Sequence, residues 1–418
     1  MSGLATILLS RGIEVSGSDL SLNERTRYLK EQGATIFEGH EKNPIPLDAV
    51  RVYHARIAPD HPELIGAMQK VHRLDLCVQT MGATPIYTVV GAHGKTSTSA
   101  LLAHVLSTYD PEFGFSVGGV LLSDSLNGKD GSKGFVLEGD ESDGSFLRIS
   151  PKGAILTNVD ADHLDYWKDY QSLLDGYKDF IKTVKDPTLF FYSFGEDHGL
   201  VSCGVSYGIG EGQIQASNLR IFKEGSLFDL FDKRDNTFLK NVYIPLMGEH
   251  QVKNALGVYG LAKGLQVPIE KIVEAFQTFK GVMRRSERVK KIGRLEVFLD
   301  YGHHPRELEV TFEAIRKQYK TPLIVVFEPH KYSRTRNFFE DFVRVLKKPD
   351  KVILLDTYPA MEDYDPLGGS RRLAETLGIG VTTPLKLKLE MADLFGQEGC
   401  LLFIGAGNID RICRDCLE

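Results

Sequence analysis

The stretch from Ile86 to Leu102 limits what this chain can fold into more than any other. An apolar, β-branched strand, Ile86–Val90, enters Gly91-Ala92-His93-Gly94-Lys95-Thr96-Ser97, and an apolar-periodic helix follows. A buried strand that turns straight into a helix through two glycines belongs to an α/β layer rather than to a bundle or a sandwich. In that setting the loop amides and the helix N-terminus cradle phosphates, Lys95 reaches the terminal phosphates, and the Thr96 hydroxyl meets Mg²⁺. The match to the phosphate-loop pattern is imperfect, because Val89 stands where its first glycine belongs. The plainer alternative is an ordinary strand–helix turn; the strand–loop–helix context favours nucleotide binding.

Apolar and helical stretches alternate around this loop along all 418 residues, enough chain for two or three cores. The first block, 1–86, reads as a Rossmann-like unit. It has a helix at Met1–Ser10, a short strand Ile13–Val15 ending at Ser16-Gly17-Ser18-Asp19, a charged helix Asn23–Gln32, and apolar runs at Thr35–Phe37 and Ala49–Tyr53. Such a unit normally opens with a strand and a glycine-rich turn. This one opens inside its first helix, so the expectation is that the strand is lost or lies upstream of Met1. The second block, 87–282, continues with strands at Phe135–Glu138, Gly153–Thr157 and Leu189–Tyr192, a β-rich run at Gln213–Pro245 and a helical zone at Lys253–Lys280. The third, 283–418, carries strands at Leu295–Leu299, Pro322–Phe327, Lys351–Leu355 and Leu401–Ile404. Three consecutive α/β domains are expected.

A net charge of −6 gives no electrostatic reason to expect nucleic acid or an acidic membrane as a partner. An anionic substrate must then be held by loop amides, helix N-termini and single Arg or Lys residues. No apolar run spans a bilayer and no basic-then-apolar leader opens the chain, so a reducing cytoplasm is expected. Cysteines at 77, 203, 400, 413 and 416 form no disulfide framework, and the Cys413–Cys416 pair has no partner pair for zinc.

The string Gly91–Thr96 resembles the GTHGKT loop of the Mur ligases, and further matches follow in that family's order. Glu138–Leu147 resembles EADESDGSFL, Thr157–Asp165 resembles TNIEADHMD, and Gly248–Ala255 resembles GxHNxxNA. Gly281–Arg285 resembles FxGxxRRF, and Asp300–Pro305 resembles DDYGHHP. Phe327–Thr335 resembles FQPHRYTRT, and Ile404–Ile409 resembles a terminal GAGDI. The two histidines after Tyr301 and the string around His330 point to the alanine-adding branch. The resemblance covers the whole chain, down to Met1–Ala5 and Val15–Leu20.

That resemblance implies ATP-dependent ligation of L-alanine to UDP-N-acetylmuramate through an acyl phosphate, in peptidoglycan precursor synthesis. It implies a UDP-sugar domain at 1–86, an ATP domain at 87–282 and a C-terminal domain at 283–418. Lys95 would bridge the β- and γ-phosphates and Thr96 would hold one Mg²⁺, with Glu141 and His163 holding a second. Arg285 would reach the γ-phosphate, His250 and Asn254 would lie against adenine, and Asp300 would bind the ribose. Tyr301, His303, His330, Lys331 and Arg334 would orient the amino acid, with only one of His303 and His304 needing to face it. Ser18, Asp19 and His40 are the candidates on the UDP side. The site would be complete only on domain closure. A carbamylated lysine at Lys178 is weighed against a plain surface lysine.

Four departures stand out: the missing opening strand, His54-Ala55-Arg56-Ile57 at the uridine site, Lys331 where arginine is usual, and Met361 for glycine. Lys331 keeps the charge but loses the bidentate fork that suits a carboxylate; Arg56 is a candidate phosphate contact. The rival readings are a sibling ligase, either a peptide-recycling muramyl ligase or a folylpolyglutamate synthase, and a non-catalytic homologue that binds ATP.

Overall fold

The structure is a computed structural model that describes every residue except Ser21, Lys42, Ala55, Arg56, Ala58, Pro59, Met361 and the side chain of Asp165. It divides into two compact units, Met1–Arg220 with Gly225–Gly281, and Ile221–Glu224 with Val282–Glu418. Among the described residues no helix is long and apolar enough to cross a membrane.

The first unit is built on a ten-stranded sheet. At its centre Ile86–Val90, buried along its whole length, lies between Gly153–Leu156 and Gly134–Glu138 and is parallel to both. Val89 is level with Glu138 and Val90 with Leu156, so the three strands end together. The chain leaves Val90 for one flank of the sheet and returns after Leu156 on the other. That is a topological switch point, the place where open α/β sheets bind ligands. The expected helical zone is two helices, Glu249–Gly264 and Ile269–Thr278, separated at Val267-Pro268 because proline cannot continue a helix.

Residues 1–86 contribute two small parallel sheets, Ser16–Asp19 with Thr35–Glu38 and Arg51–Tyr53 with Lys70–His72. The first strand starts later than the sequence suggests, because its ladder opens at the Ser16–Thr35 pair. These residues share a core with the central sheet. Leu4 and Ile7 of helix Ser2–Ser10 and Leu74, Cys77 and Met81 of helix Arg73–Met81 pack with Ile86, Phe135, Leu137 and Ile149. Gly3 lies so close to Asn127 that a Cβ would meet its carbonyl oxygen at 2.7 Å. Arg25 donates to Asn127 Oδ1 at 2.8 Å, and Arg148 pairs with Asp75 at 2.7 Å.

The second unit is a six-stranded sheet in the order Glu287–Ile292, Leu295–Asp300, Gly399–Gly405, Leu323–Glu328, Lys351–Leu355, Val381–Thr382. The first pair is antiparallel and the rest parallel. Asp300 is level with Ile404 and Glu328 with Gly405, so the loops after three central strands leave the same edge.

Candidate active site

The phosphate loop is braced from the neighbouring strand. His93 N–H donates to Asn158 Oδ1 at 2.8 Å, and the His93 carbonyl accepts from Thr157 Oγ1 at 2.7 Å and Asn158 Nδ2 at 2.9 Å. The His93 ring lies 2.9 Å from Asp160, so this expected nucleotide contact is engaged with the brace. Gly91 (φ 137°) has Thr157 and Asn158 where a side chain would stand, and Gly94 (φ 81°) opens helix Lys95–Tyr109 in a left-handed conformation. Asn254 presses on this second glycine, with Oδ1 3.2 Å from where a Cβ would be, and His250 lies in the first turn of the same helix. Ala92 and Ser97 complete the loop and the first helical turn; the Ala92 carbonyl accepts from Lys95 at 3.1 Å.

Lys95 Nζ lies 2.8 Å from Glu141 Oε1 and 2.6 Å from the Gly91 carbonyl. Burial alone would lower its ammonium, but Glu141 and Asp140 outweigh burial and raise it. Glu141 is 1% exposed, and burial pushes its carboxyl up to about 7 against the pull of Lys95. His163 Nε2 stands 3.8 Å from Glu141 Oε1. His163 has φ 55°, a conformation uncommon for a residue with a side chain; its amide donates to Asp162 Oδ1 at 2.7 Å and its carbonyl accepts the amides of Tyr166 and Trp167. Thr96 faces a different carboxylate: its hydroxyl donates to Glu138 Oε1 at 2.8 Å. The other Glu138 oxygen accepts from Ser99 Oγ at 3.1 Å and Gly118 N at 2.6 Å. Sequence reasoning passed over Glu138. The available signal was an apolar strand ending in an acid beside the loop strand.

A cavity of about 250 Å³ between residues 1–86 and the central sheet is lined by Gly3, Arg73, Gly118, Glu138 and Asp140, with Arg73 3.4 Å from Asp140. The Arg73 guanidinium thus lines the same pocket as Glu138. Ser18 and His40 also meet, 2.7 Å apart, and the Asp19 carbonyl accepts the Gly39 amide. Arg56 and Met361 lie outside the described residues. Lys178 is a half-exposed helix lysine paired with Asp175 at 3.2 Å, which favours the plain reading over a carbamate.

In the second unit Asp300 is buried, and its two oxygens accept the amides of Ser286 at 2.6 Å and Gly302 at 2.7 Å. Burial raises its carboxyl against the pull of Arg285. Arg284 and Arg285 stand 4.8 and 5.0 Å over the Tyr301 ring. Both neighbours of Arg285 in sequence along this turn, Arg284 and Ser286, have positive φ, which aims the turn at the cost of backbone strain.

Four expected amino-acid contacts come together. The His303 ring lies 5.2 Å from Tyr301 and 5.7 Å from His330, and Arg334 reaches His330 Nδ1 at 3.1 Å. Lys331 (φ 71°) is the residue before helix Tyr332–Asn337 and donates its amide to Tyr358 O at 2.8 Å. His304 has a separate task. Its ring accepts the Arg306 amide and Glu307 accepts the His304 amide, a capping box for helix Pro305–Gln318. His304→Ala should therefore cost about 1 kcal/mol of stability while leaving the amino-acid KM unchanged, as a melting curve and steady-state kinetics would show. A shifted KM with an unchanged melt would reverse the assignment of the two histidines.

Burial pushes Glu328, at the end of its strand, up to about 7 from an ordinary 4.5. Between those values the folded protein keeps a proton that the unfolded chain has released, so this group's contribution falls as pH rises. The melting-temperature difference Glu328→Gln minus wild type should grow more positive from pH 5 to pH 8, reflecting up to about 3 kcal/mol. A difference flat across that range contradicts the buried-acid account.

Comparisons with known proteins bear on the whole chain. The family profile described as Mur ligase family, catalytic domain matches residues 1–83, the Mur ligase middle domain matches 89–262, and the glutamate ligase domain matches 284–382. The UDP-N-acetylmuramate–L-alanine ligase of Aquifex aeolicus is 35% identical over 100% of this chain and 95% of the relative. That of Hydrogenobaculum sp. is 33% identical over 98% and 94%. The crystal structure of the UDP-N-acetylmuramate-alanine ligase of Thermotoga maritima shares the fold, with a TM-score of 0.85 at 24% identity, covering 100% of this chain and 95% of that one. The chain belongs to the Mur ligase family, whose UDP-N-acetylmuramate–L-alanine ligases are among the members it matches from end to end.

Proposed function

We propose that this chain joins L-alanine to the carboxylate of UDP-N-acetylmuramate using ATP, with 1–86, 87–282 and 283–418 as its working parts. The observation that carries this reading is the loop geometry: Lys95 and Thr96 each face a carboxylate, Glu141 and Glu138, at the switch point of the sheet. A protein that only held a nucleotide would not need two acids, Glu141 buried and Glu138 half-buried, against the lysine and hydroxyl of its phosphate loop.

In the first step a carboxylate oxygen attacks the γ-phosphorus and ADP leaves, giving an acyl phosphate. The alanine amine then attacks the carbonyl carbon, and phosphate and a proton leave. Lys95 moves from the Gly91 carbonyl and Glu141 onto the phosphates. Arg73 holds the substrate carboxylate in the cavity that reaches Glu138, and Arg285 meets the γ-phosphate. Asp300 accepts from the ribose, and His250 and Asn254 lie beside adenine. Tyr301, His303, His330, Lys331 and Arg334 hold the amino acid.

The donor set suits Mg²⁺. Among the described residues no three His, Cys, Asp or Glu side chains gather into a ready-made cation site. The Thr96–Glu138 and Glu141–His163 pairs instead supply the one or two ligands that Mg²⁺ takes from a protein before phosphates complete its shell. When bound, the ion offsets charge repulsion between the two anions.

The test is an amino-acid panel with ATP and UDP-N-acetylmuramate, read by mass spectrometry of the UDP product. L-Alanine should give the addition product at the highest kcat/KM. Preference for a peptide or for glutamate would move the chain to a sibling reaction.

A further inference from the structure

Beneath the aromatic side chains of the second unit lies a carboxylate that the proposed reaction does not use. Glu328 is 5% exposed, and its Oε2 accepts at 3.1 Å the amide of Ile409, the first residue of helix Ile409–Leu417. The turn before that helix is wedged between two groups. A Cβ on Gly407 would fall 2.5 Å from Glu328 Oε2 and 2.5 Å from Tyr358 Cγ. From the other side Arg284 donates to the carbonyls of Gly405 at 3.2 Å and Gly407 at 3.5 Å.

Both holders of this turn lead to the amino-acid cluster. Arg284 stands 4.8 Å over the Tyr301 ring. Tyr358 stacks on His330 with centroids 5.6 Å apart and planes 11° apart. One turn therefore backs Tyr301 through Arg284 and His330 through Tyr358. The Ile409 amide is one of the donors a helix leaves without an internal partner, and a carboxyl oxygen of Glu328 meets it whether or not the other oxygen carries a proton.

We propose that Glu328 is a positioning residue for the amino-acid substrate: by pinning the 405–409 turn it fixes where Tyr301 and His330 stand. This inference rests on the reading of Tyr301, His303, His330 and Arg334 as the amino-acid site. Loss of the pin lets both aromatic walls shift, and a displacement near 1 Å is enough to cost an order of magnitude or more.

The experiment measures phosphate release with each substrate varied in turn, for wild type, Glu328→Ala, Glu328→Gln and His330→Ala. Glu328→Ala should raise the KM for L-alanine about tenfold and leave those for ATP and UDP-N-acetylmuramate within about twofold. Glu328→Gln, whose amide oxygen still accepts from Ile409, should recover the alanine KM to within about threefold of wild type. An alanine KM unmoved in Glu328→Ala, or a loss spread evenly over all three substrates, overturns the proposal. His330→Ala separates the two layers. If it raises the alanine KM and Glu328→Ala does not, the positioning role fails alone. If it leaves that KM unmoved, the amino-acid site is misplaced and the inference falls with it. Should Glu328→Ala fail to fold, Gly407→Ala displaces the same turn and carries the test with the same readout.

Discussion

Lys95→Ala should lower substrate-dependent phosphate release by about 10²–10³ in kcat, the usual effect of removing one preorganised cation from a transferring phosphoryl group. The loss should appear in kcat more than in the KM for ATP, because the loop amides that cradle the other phosphates remain braced by Thr157 and Asn158. The variant should nevertheless fold. Removing one partner of a buried ion pair is usually severe because it strands a charge. Glu141 already sits near 7, so it can take a proton instead. A variant that melts lower at pH 8 than at pH 6, relative to wild type, is the expected signature. Retention of full turnover would mean that Lys95 holds Glu141 and the loop but does not meet phosphate.

Gly91→Ala should be the most damaging single methyl group in the loop. At φ 137° a Cβ there would run into the Thr157 hydroxyl and stand 2.8 Å from the Asn158 carbonyl. Those groups belong to the brace that shapes the loop, so the clash cannot be relieved without releasing His93 as well. A cost of about 2–5 kcal/mol in stability is expected, from backbone strain plus overpacking. ATP binding should weaken in parallel. Isothermal titration with an ATP analogue, alongside thermal melting, checks both. Alanine at position 92, which is already present in this chain, shows that the loop tolerates a methyl group one residue further on.

The sequence was most legible where chemistry is carried by contiguous residues. The strand–loop–helix at Ile86–Tyr109 is as its apolar pattern and two glycines require, and Tyr301, His303, His330 and Arg334 come together from two loops and the helix Tyr332–Asn337. It was least legible where register decides. Glu138 looks like any acid after a strand until its ladder sets it level with Val89 and beside Thr96. The adjacent histidines 303 and 304 are equivalent on paper, and only the helix start at Pro305 makes one a cap. Residues 1–86 read as a separate Rossmann-like block because helical and extended stretches alternate there, but helices Ser2–Ser10 and Arg73–Met81 have apolar faces to cover. What covers those faces, Phe135 and Leu137 among others, lies in a strand far along the chain. Such long-range burial leaves no local signature.

The most direct test of the ligase account is phosphate release from ATP by the intact chain with Mg²⁺, measured with UDP-N-acetylmuramate alone, L-alanine alone, and both together. The account predicts sustained release only with both substrates, in equal amounts with the amide product. Release that ignores either substrate, or ATP binding with no substrate-dependent release at all, would contradict it.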